Sequence, residues 1–256
     1  MSRAAEGRPV HGAPLDERGA PSHSSGADSV TVWRIALDPA RPPDAAAVAE
    51  LSEEERTRAL RFATDALRNR WLHGHVATRR ILARALGVAP REIVYGAEAA
   101  GKPFVAAPAG SGIEFSFSDS GDLALLAVGR GGALGVDVES RQPLSDLAGV
   151  ATRFFAAEEC DALFALPEAA RDAGFYRLWT RKESYIKALG TGLGHALATF
   201  VVTIAVDDAR VVSVGGDRAA AAQCAVRSID AGVGYEGALV ALRPDIAITV
   251  SDWPAS

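Results

Sequence analysis

The segment Leu178–Leu193, with the sequence LWTRKESYIKALGTGL, decides the fold of the chain. Its apolar residues recur at helical spacing, and the glycines at its end are typical of a helix terminus followed by a loop. One carboxylate, Glu183, lies among three cations of the same segment, Arg181, Lys182 and Lys187. The segment therefore predicts a helix that carries an acid and a base on its surface.

The helical spacing places Trp179, Glu183 and Lys187 on one stripe, because residues four apart share a helix face. A largely apolar stripe runs beside it and is interrupted by Lys182. Glu183 and Lys187 could form only a surface ion pair, worth a few tenths of a kcal/mol. The tryptophan on the same stripe favours the other interpretation, in which this face is partly covered and functional.

A second acidic motif lies upstream, in the strand-like segment Gly135–Glu139, GVDVE. Side chains two apart in a strand point to the same face, so Asp137 and Glu139 lie side by side. Two adjacent carboxylates repel each other unless a cation lies between them, and Mg²⁺ prefers oxygen ligands. The alternative is an exposed strand face that happens to be acidic, because this spacing is common.

The order of the predicted elements indicates an α+β protein built from two similar halves, each a small, mostly antiparallel sheet packed with helices. We predict a disordered tail over residues 1–28, an N-terminal half over 29–132 and a C-terminal half over 133–250. Strands are predicted at 30–37, 113–118, 123–128, 133–139, 199–206, 211–214, 222–228 and 235–242. Helices are predicted from a Ser52–Glu55 capping box, after Thr64 through Arg84, over 154–164 and over 172–189.

Composition excludes several classes of protein. A net charge of −5 over 256 residues gives no overall basic field for nucleic acid. No apolar run is long enough for a membrane span, and the first residues lack the apolar core of a secretory signal. Two cysteines are too few for a disulfide framework. We therefore expect a cytoplasmic protein that binds neither nucleic acid nor membrane.

The two helices between residues 52 and 84 are rich in arginine, while their acids cluster at the start. One interpretation is a solvated helix face. The other is a basic wall that binds phosphates or an acidic protein. The arginines are Arg56, Arg58, Arg61, Arg68, Arg70, Arg79, Arg80 and Arg84.

The order and spacing of five motifs resemble those of the Sfp-type 4′-phosphopantetheinyl transferases, over roughly residues 30–245. The last two motifs together are highly specific for that family. The motifs are 101–104 (GKPF), 115–121 (FSFSDSG), 135–139 (GVDVE), 154–159 (FFAAEE) and 179–193 (WTRKESYIKALGTGL).

The resemblance implies a Mg²⁺-dependent, monomeric enzyme of two α+β halves with the active site between them. It would transfer the 4′-phosphopantetheine arm of coenzyme A to a serine of an apo acyl or peptidyl carrier protein, releasing adenosine 3′,5′-bisphosphate. The implied metal ligands are Asp137, Glu139 and Glu183, and Glu183 is also the base for the carrier serine. The implied coenzyme A contacts are Lys187 at the diphosphate, Lys102 and Ser118 along the molecule, and Arg58 and Arg70 at the 3′-phosphate.

One position departs from the family pattern. Asp119 stands between Ser118 and Ser120, where the family has a histidine near a coenzyme A phosphate. The aspartate could turn away and bond its own backbone, join the metal ligands, or weaken coenzyme A binding. His73 or His75 on the arginine-rich helix could supply a replacement donor.

Two other functions stay open from the sequence. A non-catalytic relative could bind coenzyme A or a carrier without transfer, and a Mg²⁺-dependent nucleotide hydrolase could use the same acids. The pathway also stays open, because fatty acid, polyketide and nonribosomal peptide carriers all fit.

Overall fold

The computed structural model describes residues 29–192 and 196–254. The predicted tail, residues 1–28, lies outside this part of the chain, as does Leu193. The strands are β1 Ser29–Ala36, β2 Val94–Ala97, β3 Pro103–Ala107, β4 Ile113–Ser120, β5 Leu123–Arg130, β6 Leu134–Ser140, β7 Phe200–Val202, β8 Val211–Val214, β9 Ala225–Ile229, β10 Tyr235–Ala241 and β11 Ala247–Asp252. The helices are α1 Ala45–Val48, α2 Glu53–Ala59, α3 Asp65–Leu86, α4 Leu147–Phe154, α5 Ala157–Phe164, α6 Glu168–Leu189 and α7 Arg218–Ala221.

The strands form small sheets, which confirms the predicted α+β class. A four-stranded sheet has the order β11-β1-β5-β4, with β1 and β11 parallel and the other pairs antiparallel. A three-stranded antiparallel sheet has the order β6-β10-β9. Two short ribbons, β2-β3 and β7-β8, complete the described strands.

Each of the two larger sheets packs against a helix of 22 residues. In α3 the Thr64 hydroxyl accepts a hydrogen bond from the Leu67 amide, and the helix ends at Gly87, whose φ is +71°. In α6 the end is Gly190, whose φ is +67°. Glycine adopts this left-handed conformation without a steric cost, so each helix ends at its glycine.

The first helix of the arginine-rich region begins at the predicted capping box. The Ser52 hydroxyl accepts from the Glu55 amide at 3.2 Å, and the Glu55 carboxylate accepts from the Ser52 amide at 2.8 Å. This reciprocal pair starts α2, as the sequence predicted.

The chain passes from one sheet to the other between residues 130 and 134, where the two halves were predicted to divide. The last strand then returns, because β11 pairs in parallel with β1 from Ser29 and Ala247 to Arg34 and Asp252. Bidentate bonds from Arg34 to the Asp252 carboxylate, at 2.7 and 3.0 Å, fasten the end of this pair. Strand β11 had not been predicted.

Two predicted elements are shorter than expected. The predicted helix 154–164 is shortened to α5, because Phe155 and Ala156 are extended and the Phe155 ring is buried in the core; helix α4, which ends at Phe154, had not been predicted. The predicted strand 199–206 is reduced to β7, because the carbonyls of Thr203 and Ala205 turn towards the Arg181 guanidinium instead of a neighbouring strand.

None of the helices in the described residues combines the length and the apolarity needed to cross a bilayer.

Candidate active site

Helix α6 crosses strand β6 at very close range, and this crossing builds the site. A Cβ added to Gly135 would lie 1.9 Å from the Ser184 carbonyl oxygen and 2.4 Å from the Ala188 amide nitrogen. The Ser184 hydroxyl donates to the Ala238 carbonyl at 2.9 Å, which fastens the helix to the adjacent strand β10. Only glycine permits this approach, so the helix residues next to Ser184 reach the acidic face of β6.

Asp137 is the most buried acid of that face, with 4% of its surface exposed. Its Oδ1 accepts hydrogen bonds from Lys187 Nζ and from the Ser118 hydroxyl, both at 2.7 Å. Its Oδ2 is buried and has no hydrogen-bond partner among the described residues. Burial raises the pKa of Asp137, and the neighbouring Lys187 ammonium opposes the shift.

Glu139 lies on the same face of β6, two residues further on, as the strand alternation predicts. Its Oε2 accepts a hydrogen bond from the Ser120 hydroxyl at 2.9 Å. Burial raises the pKa of Glu139, and the charges of Asp137 and Asp119 add to that effect. Since Ser118 and Ser120 alternate along β4 in the same way, the two serines and the two acids form matched pairs across the edges of the two sheets.

Glu183 reaches this group from α6. Its pKa is raised first by burial and then by the charges of Asp137 and Glu139, while Lys187 opposes the shift. No residue in the described part of the chain forms a hydrogen bond with its carboxylate. The structure thus brings the three predicted acids into one electrostatic cluster, in which burial raises the pKa of every carboxyl and the charge of Asp137 also raises those of Glu139 and Glu183.

The donor chemistry of this cluster fits Mg²⁺. Three carboxylates supply oxygen ligands, and one buried oxygen, Asp137 Oδ2, has no partner. The side chains as they stand do not converge: no group of three or more acidic, His or Cys side chains in residues 29–192 and 196–254 is placed to hold an ion. The Lys187 ammonium lies against Asp137 Oδ1 instead.

The two other cations of the segment Leu178–Leu193 face the protein interior. Lys182 Nζ forms an ion pair with Glu159 at 2.7 Å, with 0% and 1% of the two side chains exposed. Arg181 is also buried and donates to the Thr203 and Ala205 carbonyls and to the Ser228 hydroxyl. Both residues therefore tie α6 to the segment around β7, and neither is among the charges that shift the pKa of Glu183.

A cleft of about 940 Å³ opens beside the acidic cluster. Glu183 and Lys187 line it from α6, and Lys102 lines it from the turn between β2 and β3. Lys102 Nζ donates to the Leu134 carbonyl at 3.0 Å, and burial lowers the pKa of its ammonium. Arg58 lines the opposite wall, from α2, with its guanidinium carbon 5.9 Å from the centre of the Trp71 ring.

Three of the predicted coenzyme A contacts, Arg70, Ser118 and Asp119, are not among the residues that line this cleft. Arg70 points elsewhere, since its Nε donates to Asp122 at 2.7 Å. Asp119 is exposed and alternates away from Ser118 and Ser120, which face the acids of β6. Its charge still reaches Glu139, as the raised pKa of that carboxyl shows.

A polar and aromatic network in the N-terminal wall had not been predicted. The Glu55 carboxylate accepts from Arg79 Nε at 2.6 Å and contacts His75 Nδ1 at 3.2 Å. Burial opposes the ionisation of Glu55, but the hydrogen bonds from His75 and the Ser52 amide and the charge of Arg79 outweigh it and lower the pKa to about 2. The capping box was the only sequence pattern that marked Glu55.

The same network fixes the part of the cleft wall that leads into β2. Arg79 donates to the carbonyls of Pro90 and Ile93 at 2.8 and 3.0 Å, and its guanidinium carbon lies 4.9 Å from the centre of the Tyr95 ring. Because Arg79 is only 2% exposed, it acts as an internal tie between α3 and the segment that leads into β2.

The chain is an α+β protein in which acids and a lysine cluster at one end of a basic cleft. This arrangement is typical of an enzyme that acts on phosphate-bearing substrates. Two family profiles match the chain. Residues 133–242 match the 4′-phosphopantetheinyl transferase superfamily, and residues 37–130 match the N-terminal region of a 4′-phosphopantetheinyl transferase.

Curated relatives agree with these profiles. The chain is 40% identical over 167 residues to the 4′-phosphopantetheinyl transferase HetI of Nostoc sp., covering 65% of this chain and 70% of that one. It is 33% identical over 198 residues to a 4′-phosphopantetheinyl transferase of Bacillus subtilis, covering 77% and 85%. It is 29% identical over 195 residues to the transferase Sfp of Bacillus subtilis strain 168, covering 76% and 84%.

Among solved structures, the holo-[acyl-carrier-protein] synthase of Thermotoga maritima matches with 22% identity and a TM-score of 0.36, covering 44% of this chain and 64% of that one. The sequence matches establish that the chain belongs to the 4′-phosphopantetheinyl transferase family and is an enzyme of that class. The matched relatives include Sfp-type members of the family.

Proposed function

We propose that this enzyme transfers the 4′-phosphopantetheine arm of coenzyme A to a serine hydroxyl of an apo acyl or peptidyl carrier protein. Adenosine 3′,5′-bisphosphate is the second product, and the reaction depends on Mg²⁺. The observation that carries the proposal is the meeting of Glu183 and Lys187 with Asp137 and Glu139 at one end of a basic cleft, in a chain of this family.

The bond changes are those of a displacement at phosphorus. The oxygen of the carrier serine forms a bond to the β-phosphorus of coenzyme A, and the bond from that phosphorus to the oxygen bridging the two phosphates breaks. The leaving adenosine bisphosphate keeps the bridging oxygen. Such a reaction depends more on alignment and charge neutralisation than on covalent help from the protein.

Glu183 is the base in this scheme. A serine hydroxyl is a weak nucleophile at neutral pH, so its proton needs an acceptor. Burial and the two neighbouring acids raise the pKa of Glu183, which makes its carboxylate a better proton acceptor. Its carboxylate has no hydrogen-bond partner among the described residues, which leaves it available for this role.

Lys187 and Lys102 supply positive charge to the phosphates. Lys187 is held by Ser118 at 2.8 Å and Asp137 at 2.7 Å, so its ammonium has a fixed position at the acidic end of the cleft. Lys102 is fixed by the Leu134 carbonyl. With a diphosphate bound, either ammonium can exchange a protein oxygen for a phosphate oxygen.

Asp137, Glu139 and Glu183 would hold the Mg²⁺ ion. When bound, the ion supplies charge neutralisation for the diphosphate oxygens and for the three carboxylates. Burial is the first cause of the raised pKa of all three acids, and repulsion from Asp137 adds to it for Glu139 and Glu183.

Arg58, Arg70 and Asp119 are the remaining predicted contacts with coenzyme A. Arg58 lines the cleft and has no carboxylate partner in the described residues, so it is placed to receive the 3′-phosphate. Arg70 would first have to leave Asp122, and Asp119 would repel an approaching phosphate.

A mass-shift assay tests the proposal. The enzyme is incubated with coenzyme A, Mg²⁺ and several apo carrier domains, and each carrier is weighed by mass spectrometry. We expect a gain of one phosphopantetheine arm, lost in Glu183→Gln and retained in the control Glu168→Gln, an exposed acid at the start of the same helix. Coenzyme A binding without any mass gain would indicate a binding protein, and adenosine bisphosphate released without a carrier would indicate a hydrolase.

A further inference from the structure

His75 occupies a position in the cleft that the proposed function does not use. It lies on α3, lines the cleft and keeps 31% of its side chain exposed. One face of its ring is stacked on Trp71, with centroids 3.7 Å apart and planes 23° apart. The neighbouring histidine is different: His73 is buried, and its Nε2 is hydrogen-bonded to the Arg41 carbonyl at 2.9 Å.

The carboxylate of Glu55 fixes the state of one ring nitrogen. Glu55 is buried and ion-paired with Arg79, and its pKa of about 2 keeps it ionised near neutral pH. A carboxylate can only accept a hydrogen bond, so His75 Nδ1 must carry the hydrogen at 3.2 Å. Nε2 is then the nitrogen left for a ligand, and none of the described residues forms a hydrogen bond with it.

An anion that approaches Nε2 changes the protonation of the ring. In the neutral ring Nε2 is an acceptor, which an anionic oxygen cannot use. With Glu55 at Nδ1 and an anion at Nε2, both nitrogens face negative charge, and this arrangement stabilises the imidazolium. Binding of an anion at His75 is therefore coupled to the uptake of a proton.

The neighbours of His75 indicate which phosphate of coenzyme A it would bind. Trp71 connects it to Arg58, whose guanidinium lies over the same indole ring. Lys187, which faces the diphosphate in the proposed mechanism, lines the cleft from the other half of the protein. We propose that His75, oriented by Glu55, binds the 3′-phosphate of coenzyme A together with Arg58. This inference rests on the proposed function and adds to it a phosphate ligand that Asp119 cannot provide.

The charges around His75 determine whether the site attracts an anion. The Glu55 charge is balanced by Arg79, so the pair is close to neutral as seen from the cleft. Glu54 is the acid that opposes an anion here, against two cations without a carboxylate partner in the described residues, Arg58 and Arg91. The titratable and charged groups that line the cleft together with His75 are Glu54, Glu55, Arg58, Arg79, Arg91, Tyr95, Lys102, Glu183 and Lys187.

Calorimetric titration of coenzyme A and of dephospho-coenzyme A, which lacks the 3′-phosphate, tests the assignment. Loss of a hydrogen bond to a charged group weakens binding by roughly tenfold or more. We expect His75→Gln to bind coenzyme A about tenfold more weakly and to bind dephospho-coenzyme A as the wild type does. His73→Gln, the matched control, should bind both as the wild type does. An unchanged affinity of His75→Gln for coenzyme A, or an equal loss for both ligands, overturns the assignment.

Proton uptake gives a second reading that a structural role would not produce. Titrations near neutral pH in two buffers of different ionisation enthalpy report the protons taken up on binding. The wild type should take up more protons with coenzyme A than His75→Gln does, and equal uptake overturns the inference. Failure of the proposed function is distinguishable, because wild-type enzyme would then leave every carrier unmodified. Normal transfer with no effect of His75→Gln removes only the His75 contact.

Discussion

Replacing Lys182 by methionine should destabilise the protein strongly, although the residue is adjacent in sequence to the proposed base. The Lys182–Glu159 pair is fully buried, and Lys182 Nζ also donates to the Leu197 carbonyl at 2.8 Å and the Phe200 carbonyl at 2.6 Å. Breaking a buried pair by removing one partner leaves an uncompensated charge and costs about 3–5 kcal/mol. We expect a loss of this size from Lys182→Met.

That loss corresponds to a fall of roughly 6–20 °C in melting temperature for a domain of this size. Urea unfolding at several pH values measures it. The control is Arg210→Met, which removes an ion pair of similar length, 3.0 Å, between exposed side chains. An exposed pair contributes about 1 kcal/mol or less. A deficit for Lys182→Met no larger than that of the control would refute the buried-pair argument.

The pH dependence gives the sign of the effect independently. Burial raises the pKa of Glu159, and the Lys182 ammonium opposes that shift. Without the ammonium the folded-state pKa rises further above its unfolded value, so ionisation of Glu159 opposes folding more. The deficit of Lys182→Met should therefore be small at acid pH, where Glu159 is protonated in both states, and grow as the pH rises. A deficit that shrinks with rising pH would contradict this account.

Three further outcomes are expected. Glu183→Gln should raise the free energy of unfolding at neutral pH while abolishing transfer, because it removes a carboxyl whose raised folded pKa opposes folding above the unfolded pKa. A lower stability than wild type at neutral pH would contradict it. Gly135→Ala should cost about 1–3 kcal/mol and most of the activity, because its Cβ would overlap the Ser184 carbonyl; wild-type turnover and melting temperature would show that α6 can move aside. Asp119→His should leave transfer equal or higher in the mass-shift assay, and a large loss would mean that Asp119 acts at the metal.

The long elements could be predicted from the sequence because their information is local. The ends of α3 and α6 are marked by a capping threonine and by glycines, and strand alternation was sufficient to place Asp137 and Glu139 on one face. The meeting of that face with Glu183 was inferred from family resemblance, and the structure shows its physical reason in the glycine at position 135.

What sequence could not predict depends on which surface each residue meets. Lys182 and Glu183 are adjacent in sequence, so they point in different directions from the helix. The spacing does not reveal that Lys182 meets a buried partner, Glu159. The same limit applies to Arg70, whose partner Asp122 lies in the turn after β4. Strand β11 was missed because its pairing with β1 joins the two ends of the described chain, a contact that leaves no local pattern.

The central claim is that acids from β6 and α6 form one divalent-ion site. Electron paramagnetic resonance of Mn²⁺, used as a paramagnetic substitute for Mg²⁺, counts bound ions directly and does not depend on turnover. With coenzyme A present, the wild type should show one tightly bound ion that Asp137→Asn loses and that the exposed-acid control Glu168→Gln retains. The same single bound ion in Asp137→Asn, at unchanged affinity, would contradict the account.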